Sequence, residues 1–121
     1  MLAPIYQTIS TSAVQAIVGD RLYGKGMAPQ NTPTPYITWF TVTGDPYLNL
    51  SEAPHADSDA IQIDCWAGPA DDQEGVCNQL AAAVRDALDA AGQACRIIID
   101  TREADTKLFR IGLQVDFIHN R

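Results

Sequence analysis

Two histidines, His55 and His119, are the only imidazoles that this chain offers for acid–base chemistry. A nucleophilic triad joins a serine or cysteine to a base and to a group that orients that base. The sequence contains no G-x-S-x-G motif that would present such a nucleophile. We therefore assign no catalytic residue and predict that the protein is not an enzyme.

The segment around His55 also has the spacing of some metal ligands, because Asp57 and Asp59 follow at alternate positions. A calcium loop of the EF-hand type needs more oxygen ligands, a glycine and a final glutamate, and the sequence lacks them here. The pattern therefore favours a solvated acidic loop over a metal site.

The three cysteines, Cys65, Cys77 and Cys95, are odd in number and form no C-x-x-C pair. Zinc sites usually draw their ligands from such closely spaced pairs. We expect three reduced thiols that pack as small apolar side chains, without a metal. The sequence also lacks the glycine-rich motifs that bind phosphate, and the G-K-G at residues 24–26 is predicted to be a turn. We therefore expect no cofactor.

Paired carboxylates are a further source of acid–base chemistry, and Asp64 and Asp116 fall on the polar sides of two alternating segments. They would meet only if those segments are neighbouring strands. Arg110 falls on the same polar side as Asp116. We expect an ion pair between Arg110 and one of the two carboxylates, with a structural rather than a chemical role.

The composition excludes the usual ways of holding nucleic acid or a membrane. The formal net charge is −7, and the 8 Lys and Arg residues are scattered, whereas phosphate binding requires clusters of them. The same acidity disfavours an anionic membrane surface. No apolar run is long enough to span a bilayer, and we expect no signal peptide. The length of 121 residues predicts a single domain, residues 1–121.

Two segments have helical periodicity. Residues 4–18 begin at a proline, end before Gly19 and repeat apolar side chains at steps of three and four. The predicted buried stripe of this first helix is Ile5, Ile9, Ala13, Ala16 and Ile17. Its opposite face is polar but uncharged, which favours contact with another subunit. Residues 72–91 form the second helix, and Asp71 and Glu74 have the spacing of a capping box.

Four segments are predicted strands, residues 36–43, 60–67, 95–100 and 107–119, because they alternate or are rich in β-branched side chains. A short polar turn joins the last two into an antiparallel hairpin. The order of elements predicts an α+β fold, in which an antiparallel sheet of four main strands carries two helices on one face. The predicted core consists of Ile61, Ile63, Val76, Leu80, Val84, Leu88, Ile111, Leu113 and Val115.

Between the first two strands, residues 44–59 are predicted to be a long acidic loop. Tyr47, Leu48 and Leu50 lie within it. Apolar side chains on a polar loop either pack on the core or dock on a partner. We predict that these three residues form a subunit or partner interface.

Four segments, in this order, carry a resemblance to a known family. They are GDRLY at residues 19–23, PTPYIT at residues 33–38, QIDCWA at residues 62–67 and FRIGLQVDF at residues 109–117. With the long alanine-rich helix between the last two, the chain resembles the tail-completion, or tail-terminator, proteins of long-tailed bacteriophages with non-contractile tails. The likeness extends over residues 4–118.

The resemblance implies a structural virion protein of α+β fold, assembled in the host cytoplasm, without catalytic residues or cofactor. It implies a homohexameric ring at the head-proximal end of the tail. Such a ring caps the tail tube, stops its polymerisation and provides the joining surface for the head. The implied partners are the tail tube protein and a head-completion or connector protein. Genome DNA would pass through the lumen without specific binding.

Two alternatives remain open from the sequence. Another neck or head-completion subunit would bind the portal side instead of the tail tube. A small ferredoxin-like ligand-binding or enzymatic module would need a pocket with convergent polar groups. No residue set in the sequence predicts such a pocket.

Overall fold

A computed structural model describes residues 3–47 and 56–120 of the chain. The helices are α1 (Ile5–Ile9), α2 (Ser12–Val18) and α3 (Glu74–Ala90), and a 3-10 turn, Asp71–Gln73, precedes α3. The strands are β1 (Leu22–Tyr23), β2 (Tyr36–Tyr47), β3 (Ala56–Ala67), β4 (Cys95–Arg102) and β5 (Phe109–Asn120). The predicted α+β class is confirmed, with a short additional strand, β1. None of the described helices is both long enough and apolar enough to cross a membrane.

The five strands form one sheet in the order β1-β2-β3-β5-β4. The central pair is β3 with β5, antiparallel in an unbroken register from Ala56 opposite Asn120 to Ala67 opposite Phe109. β2 and β4 flank this pair, each antiparallel to its neighbour, and β1 pairs parallel with the start of β2. The predicted hairpin of the last two strands is therefore confirmed, and β4 forms one edge of the sheet.

The core lies between the sheet and the helices on one of its faces. Helix α3 packs on β3 and β5, and α1 and α2 pack against α3. Leu80, Val84 and Leu88 on α3 are completely buried, as is Leu113 on β5. The predicted core residues are confirmed, except that Val76 is only partly buried. The buried apolar residues of this layer, except Ala87, form one continuous cluster.

The predicted first helix is wrong in its second half, because the chain breaks at Ser10 and Thr11 into α1 and α2. The Thr11 side chain accepts a hydrogen bond from the Val14 backbone N–H, as an N-cap residue does. The break rotates the second segment, so that Val14 and Val18 are buried while Ala13 and Ala16 are exposed. Serine and threonine favour such caps because their side chains compete for backbone groups.

The predicted loop at residues 44–59 is wrong at both of its ends. β2 continues through Gly44, Asp45 and Pro46 to Tyr47, and these residues pair with the first residues of β3. Pro46 lies where β2 has no described neighbour on its outer side, since β1 pairs only with Ile37 and Thr38, and proline in a sheet favours such edge positions. Leu48, Leu50 and His55 lie outside the described residues.

The predicted capping box at the start of the long helix is also wrong. Asp71 belongs to the 3-10 turn, and Gln73 is the N-cap residue of α3, without a side-chain capping bond. Asp71 instead pairs with Arg102 on β4, at 2.8 Å between Oδ1 and Nη2. Glu74 begins α3 and places its carboxylate at the positive end of the helix dipole.

The packing of α3 on the sheet gives a direct test. Leu80→Ala is expected to lower the free energy of unfolding by about 2–5 kcal/mol, because it opens a cavity at a fully buried position. Ile118→Ala is the matched control at an exposed position and is expected to cost less than about 1 kcal/mol. Chemical denaturation of the purified chain measures both. Equal losses for the two variants would contradict the assignment of the α3 face.

Candidate assembly surfaces

The sheet face opposite to α3 carries ordered rows of side chains, and none of the three described helices packs on it. We refer to it as the helix-free face. The register of β2, β3, β5 and β4 aligns these rows across the sheet. They are Tyr36–Trp66–Arg110–Thr101, Thr38–Asp64–Gly112–Ile99 and Phe40–Gln62–Gln114–Arg96.

Asp64 is buried at the centre of the helix-free face, with 3% of its surface exposed. Arg110 Nη2 donates to its Oδ2 at 3.1 Å, and Gln62 Nε2 donates to its Oδ1 at 3.0 Å. Arg110 Nη1 also donates to Glu103 at 3.2 Å. The expected ion pair of Arg110 is therefore confirmed with Asp64. Asp116 lies opposite Ala60, in a different row, so the two aspartates do not form a carboxylate pair.

The Arg110 guanidinium is held by charge and by an aromatic ring. Burial alone would lower the pKa of Arg110, but its hydrogen bonds and charge contacts with Asp64 and Glu103 outweigh burial, and the pKa is raised. The guanidinium carbon lies 5.1 Å from the centre of the Trp66 ring. Trp66 in turn stacks on Tyr36, at 6.0 Å between ring centres. Burial raises the pKa of Tyr36.

Gly112 makes this arrangement sterically feasible. A Cβ atom at this position would lie 2.8 Å from Asp64 Oδ1 and 3.4 Å from the Cβ of Ile99. Any larger residue would push the carboxylate away from Gln62 and Arg110. The sequence alone did not identify Gly112, since an isolated glycine in a strand indicates a close approach without naming the neighbour.

Asp59 and His119 form a second buried polar pair, on the helix-covered face near the ends of β3 and β5. His119 Nε2 lies 2.8 Å from Asp59 Oδ2, and the residues are 9% and 5% exposed. The solvated loop predicted for Asp59 is therefore wrong, because the alternation of β3 continues through it. Among residues 3–47 and 56–120, no group of three or more His, Cys, Asp or Glu is arranged to hold a metal ion.

The three cysteines are free thiols, as predicted. Cys65 and Cys77 are buried, and the Cys77 thiol donates to the Cys65 carbonyl at 3.3 Å. Burial raises the pKa of Cys65 well above its usual range and that of Cys77 to about 11. Burial, with a smaller contribution from Asp89, also raises the pKa of the half-buried Cys95. All three thiols are thus protonated near neutral pH and suited to packing rather than to nucleophilic attack.

Exposed apolar side chains mark the β4 edge of the sheet. Ile97 lies opposite the buried Leu113, on the side of the helices, yet it is 56% exposed. Ile98 bulges out between Ile97 and Ile99 and is 39% exposed. A groove of about 190 Å³ separates β4 from α3, with Leu113 and Ala81 among its lining residues. We call Ile97, Ile98 and this groove the β4-edge surface.

A second apolar surface lies at the opposite edge of the sheet. A groove of about 300 Å³ runs beside β2, lined by Ile5, Trp39 and Lys25 among others. Three exposed side chains lie within two residues of its lining residues in the sequence, namely Tyr6, Met27 and Val42, at 45%, 74% and 52% exposure. Tyr6 contacts the Trp39 ring, with 6.3 Å between ring centres. We call these three side chains and their groove the β2-edge surface.

The structure leaves the interface predicted at Tyr47, Leu48 and Leu50 untested. The backbone of Tyr47 ends β2, and the other two residues lie outside the described part of the chain. Sequence reasoning missed the two edge surfaces. The run of Ile97, Ile98 and Ile99 was a usable signal, because successive strand residues point to opposite faces and cannot all enter one core.

Comparisons with known proteins point to one family. A sequence model described as "Tail completion protein gp17" matches residues 4–120. A solved chain of similar fold comes from a structure described as "Virion of native gene transfer agent (GTA) particle". That match has a TM-score of 0.61 and 17% sequence identity, and it covers 95% of this chain and 92% of the other. At this identity the likeness shows the fold alone. No curated protein sequence is significantly similar to the chain.

The crowding at Gly112 predicts opposite effects for two glycine substitutions. Gly112→Ala is expected to lower the free energy of unfolding by about 1–3 kcal/mol, because the new methyl group displaces the Asp64 carboxylate. Gly75→Ala is the control on α3, where a Cβ meets nothing within 4 Å. It is expected to be neutral or to stabilise by up to about 1 kcal/mol. Thermal and chemical unfolding measure the difference, and a neutral Gly112→Ala would refute the described packing.

Proposed function

Because the chain belongs to the family of tail completion protein gp17, we propose that it completes the tail of a long-tailed phage as a tail terminator. The chain is a structural component of a phage virion and has a role in tail completion. In the proposal, identical copies form a hexameric ring at the head-proximal end of the tail tube. The ring stops tube polymerisation and provides the surface to which the head is joined.

The family match over residues 4–120 carries this proposal, because it extends over nearly the whole chain. It includes all three helices and all five strands described above. The proposed partners are the tail tube protein on one side of the ring and a head-completion or connector protein on the other.

The charge distribution supports a ring through which DNA passes without being held. Residues 56–120 contain 12 Asp and Glu but only 5 Lys and Arg. On the helix-free face, Arg110 is already neutralised by Asp64 and Glu103. An acidic ring repels the phosphate backbone, whereas tight binding would need clustered cations.

The docking role predicted for Tyr47, Leu48 and Leu50 remains part of the proposal. The backbone of Tyr47 ends β2, a strand next to the edge of the sheet. Apolar side chains at such a point suit burial against a partner.

Particles assembled without this protein test the function. Tails are expected to reach variable and excessive lengths and to fail to join heads, because nothing stops the addition of tube subunits. Adding the purified protein to a lysate that contains heads and tails is expected to restore joining. Electron micrographs of negatively stained particles measure tail length and joining together.

The same particles distinguish the alternatives. Tails of normal length that do not join heads would assign the protein to the head side of the joint, as a head-completion subunit. Tails of normal length that join heads normally would refute a role in tail completion.

A further inference from the structure

The helical layer leaves the groove between α3 and β4 open. Helix α3 packs on β3 and β5 and only touches β4. Ile97 therefore stays 56% exposed, although it pairs with Leu113, which is 1% exposed. Both side chains line the groove, together with Ala81 and Ala82 of α3. An apolar edge strand left in water promotes association, so a cover for this surface is expected.

Two charged side chains line the same groove, and neither forms an ion pair with any described residue. They are Arg85 on α3 and Asp100 on β4, and both are exposed. In contrast, Arg102 and Arg110 on the neighbouring strands are each paired with a carboxylate. The groove thus holds an unpaired cation and an unpaired anion beside its apolar floor.

The Asp100 end of the groove is acidic. Burial raises the pKa of Cys77 most, and the carboxylates of Asp100 and Glu74 raise it further. Both acids therefore lie near Cys77, at the beginning of α3. Arg102 follows on the same strand, but Asp71 already neutralises it at 2.8 Å. This end of the groove thus presents negative charge without a partner.

The opposite end of the groove presents positive charge. Burial and Asp89 raise the pKa of Cys95, and Arg85 opposes that rise, so the Arg85 guanidinium lies near Cys95. Arg96 adds a second cation there, on the helix-free side of β4. Cys77 and Arg85 are eight residues apart on α3, which is about 12 Å along its axis. The unpaired cation and the unpaired anion are therefore separated along the groove.

Opposite charges at its two ends make this surface complementary to itself. Ile97 lies between them on β4. When a second copy is turned about a twofold axis near Ile97, its Arg85 lies on the Asp100 end of the first copy, and the reverse pair forms as well. Ile97 and Ile98 of the two copies then meet between the charges. Such a contact joins unlike charges twice and buries apolar surface on both chains.

A contact between side chains suits this edge better than a continued backbone ladder. The register of β4 shifts between Ile97 and Ile99, so Ile98 forms a β-bulge. Bulges interrupt the ladder of an edge strand and discourage the addition of a further strand. The small side chains of Ala81 and Ala82 line the groove beside Ile97 and leave space there for the side chains of a second copy.

We propose that the free chain forms a twofold dimer through its β4-edge surface, in which Arg85 of each copy pairs with Asp100 of the other. The dimer covers Ile97 and Ile98 before the chain is assembled. An isologous contact uses the same surface on both copies and is then closed, whereas a ring repeats contacts between unlike surfaces. The dimer is therefore a state of the free chain, distinct from the proposed ring, and it goes beyond the proposed function.

Charge reversal at each end of the groove tests the pairing. Arg85→Asp and Asp100→Arg each bring like charges together twice, so each variant alone is expected to dimerise at least about tenfold more weakly. An equal mixture of the two variants is expected to form mixed dimers with about the affinity of the unchanged protein, because both pairs then join opposite charges. Asp105→Arg is the matched control, the same change at an exposed position in the turn after β4. Sedimentation of the purified proteins at up to about 1 mM measures dimerisation.

The apolar centre has its own test. Ile97→Lys is expected to weaken dimerisation at least about tenfold, because central residues carry most of the affinity of a contact. Ile118→Lys is the matched control, a strand isoleucine that is 44% exposed and lies outside the groove. All these positions are exposed, so melting temperatures near that of the unchanged protein are expected. If a charge reversal lowers the melting temperature, Arg85→Gln or Asp100→Asn replaces it and is expected to weaken the dimer by a smaller factor.

Four outcomes would overturn the proposal. They are an unchanged protein without dimers up to about 1 mM, groove variants that dimerise as well as the unchanged protein, a mixture of the two charge variants without mixed dimers, and a control that loses dimerisation. The experiment uses the purified chain alone and is therefore independent of tail length. A monomeric chain would leave the proposed tail function standing, and normal tails in particles that lack the protein would leave the dimer standing.

Discussion

The width of the helical layer is the constraint on which the rest of this structure depends. Five hydrogen-bonded strands span about 19 Å, whereas one helix with its side chains is about 10–12 Å wide. α3 covers the central pair β3 and β5, and the two short helices lie beside it. The stable core therefore forms over the middle of the sheet, and the apolar residues on the edges remain exposed.

The helix-free face differs from the helix-covered face because a buried carboxylate lies at its centre. Its centre is occupied by Asp64, and the hydrogen bonds of Gln62 and Arg110 satisfy the carboxylate. Trp66 donates its indole N–H to the Thr38 hydroxyl at 3.1 Å. A buried charge is tolerable only when such partners are present. The Asp64 carboxylate is therefore satisfied within the chain, whereas Arg110 Nε is buried without a hydrogen-bond partner among the described residues.

Much of the fold was predictable from the sequence, because apolar periodicity is strong in α3, in β3 and in β5. The predicted ends of helices and strands are wrong where the local preference of a residue disagrees with its tertiary contacts. The sequence predicts Ser10 and Thr11 on the polar face of one helix, but Ser10 caps the end of α1 and Thr11 caps the start of α2. The sequence predicts that the strand ends before Pro46, but pairing with β3 extends β2 to Tyr47. The isoleucine run at residues 97–99 indicates that not all three side chains enter one core, but the exposure of Ile97 depends on how far α3 reaches across the sheet, which the sequence does not show.

The most direct measurement is the position and copy number of this chain in intact particles. The chain would be tagged, and the neck and tail would be reconstructed by electron cryomicroscopy. The account predicts density for a hexameric ring at the head-proximal end of the tail tube. Density in the capsid, along the tube or at the distal tip would contradict it.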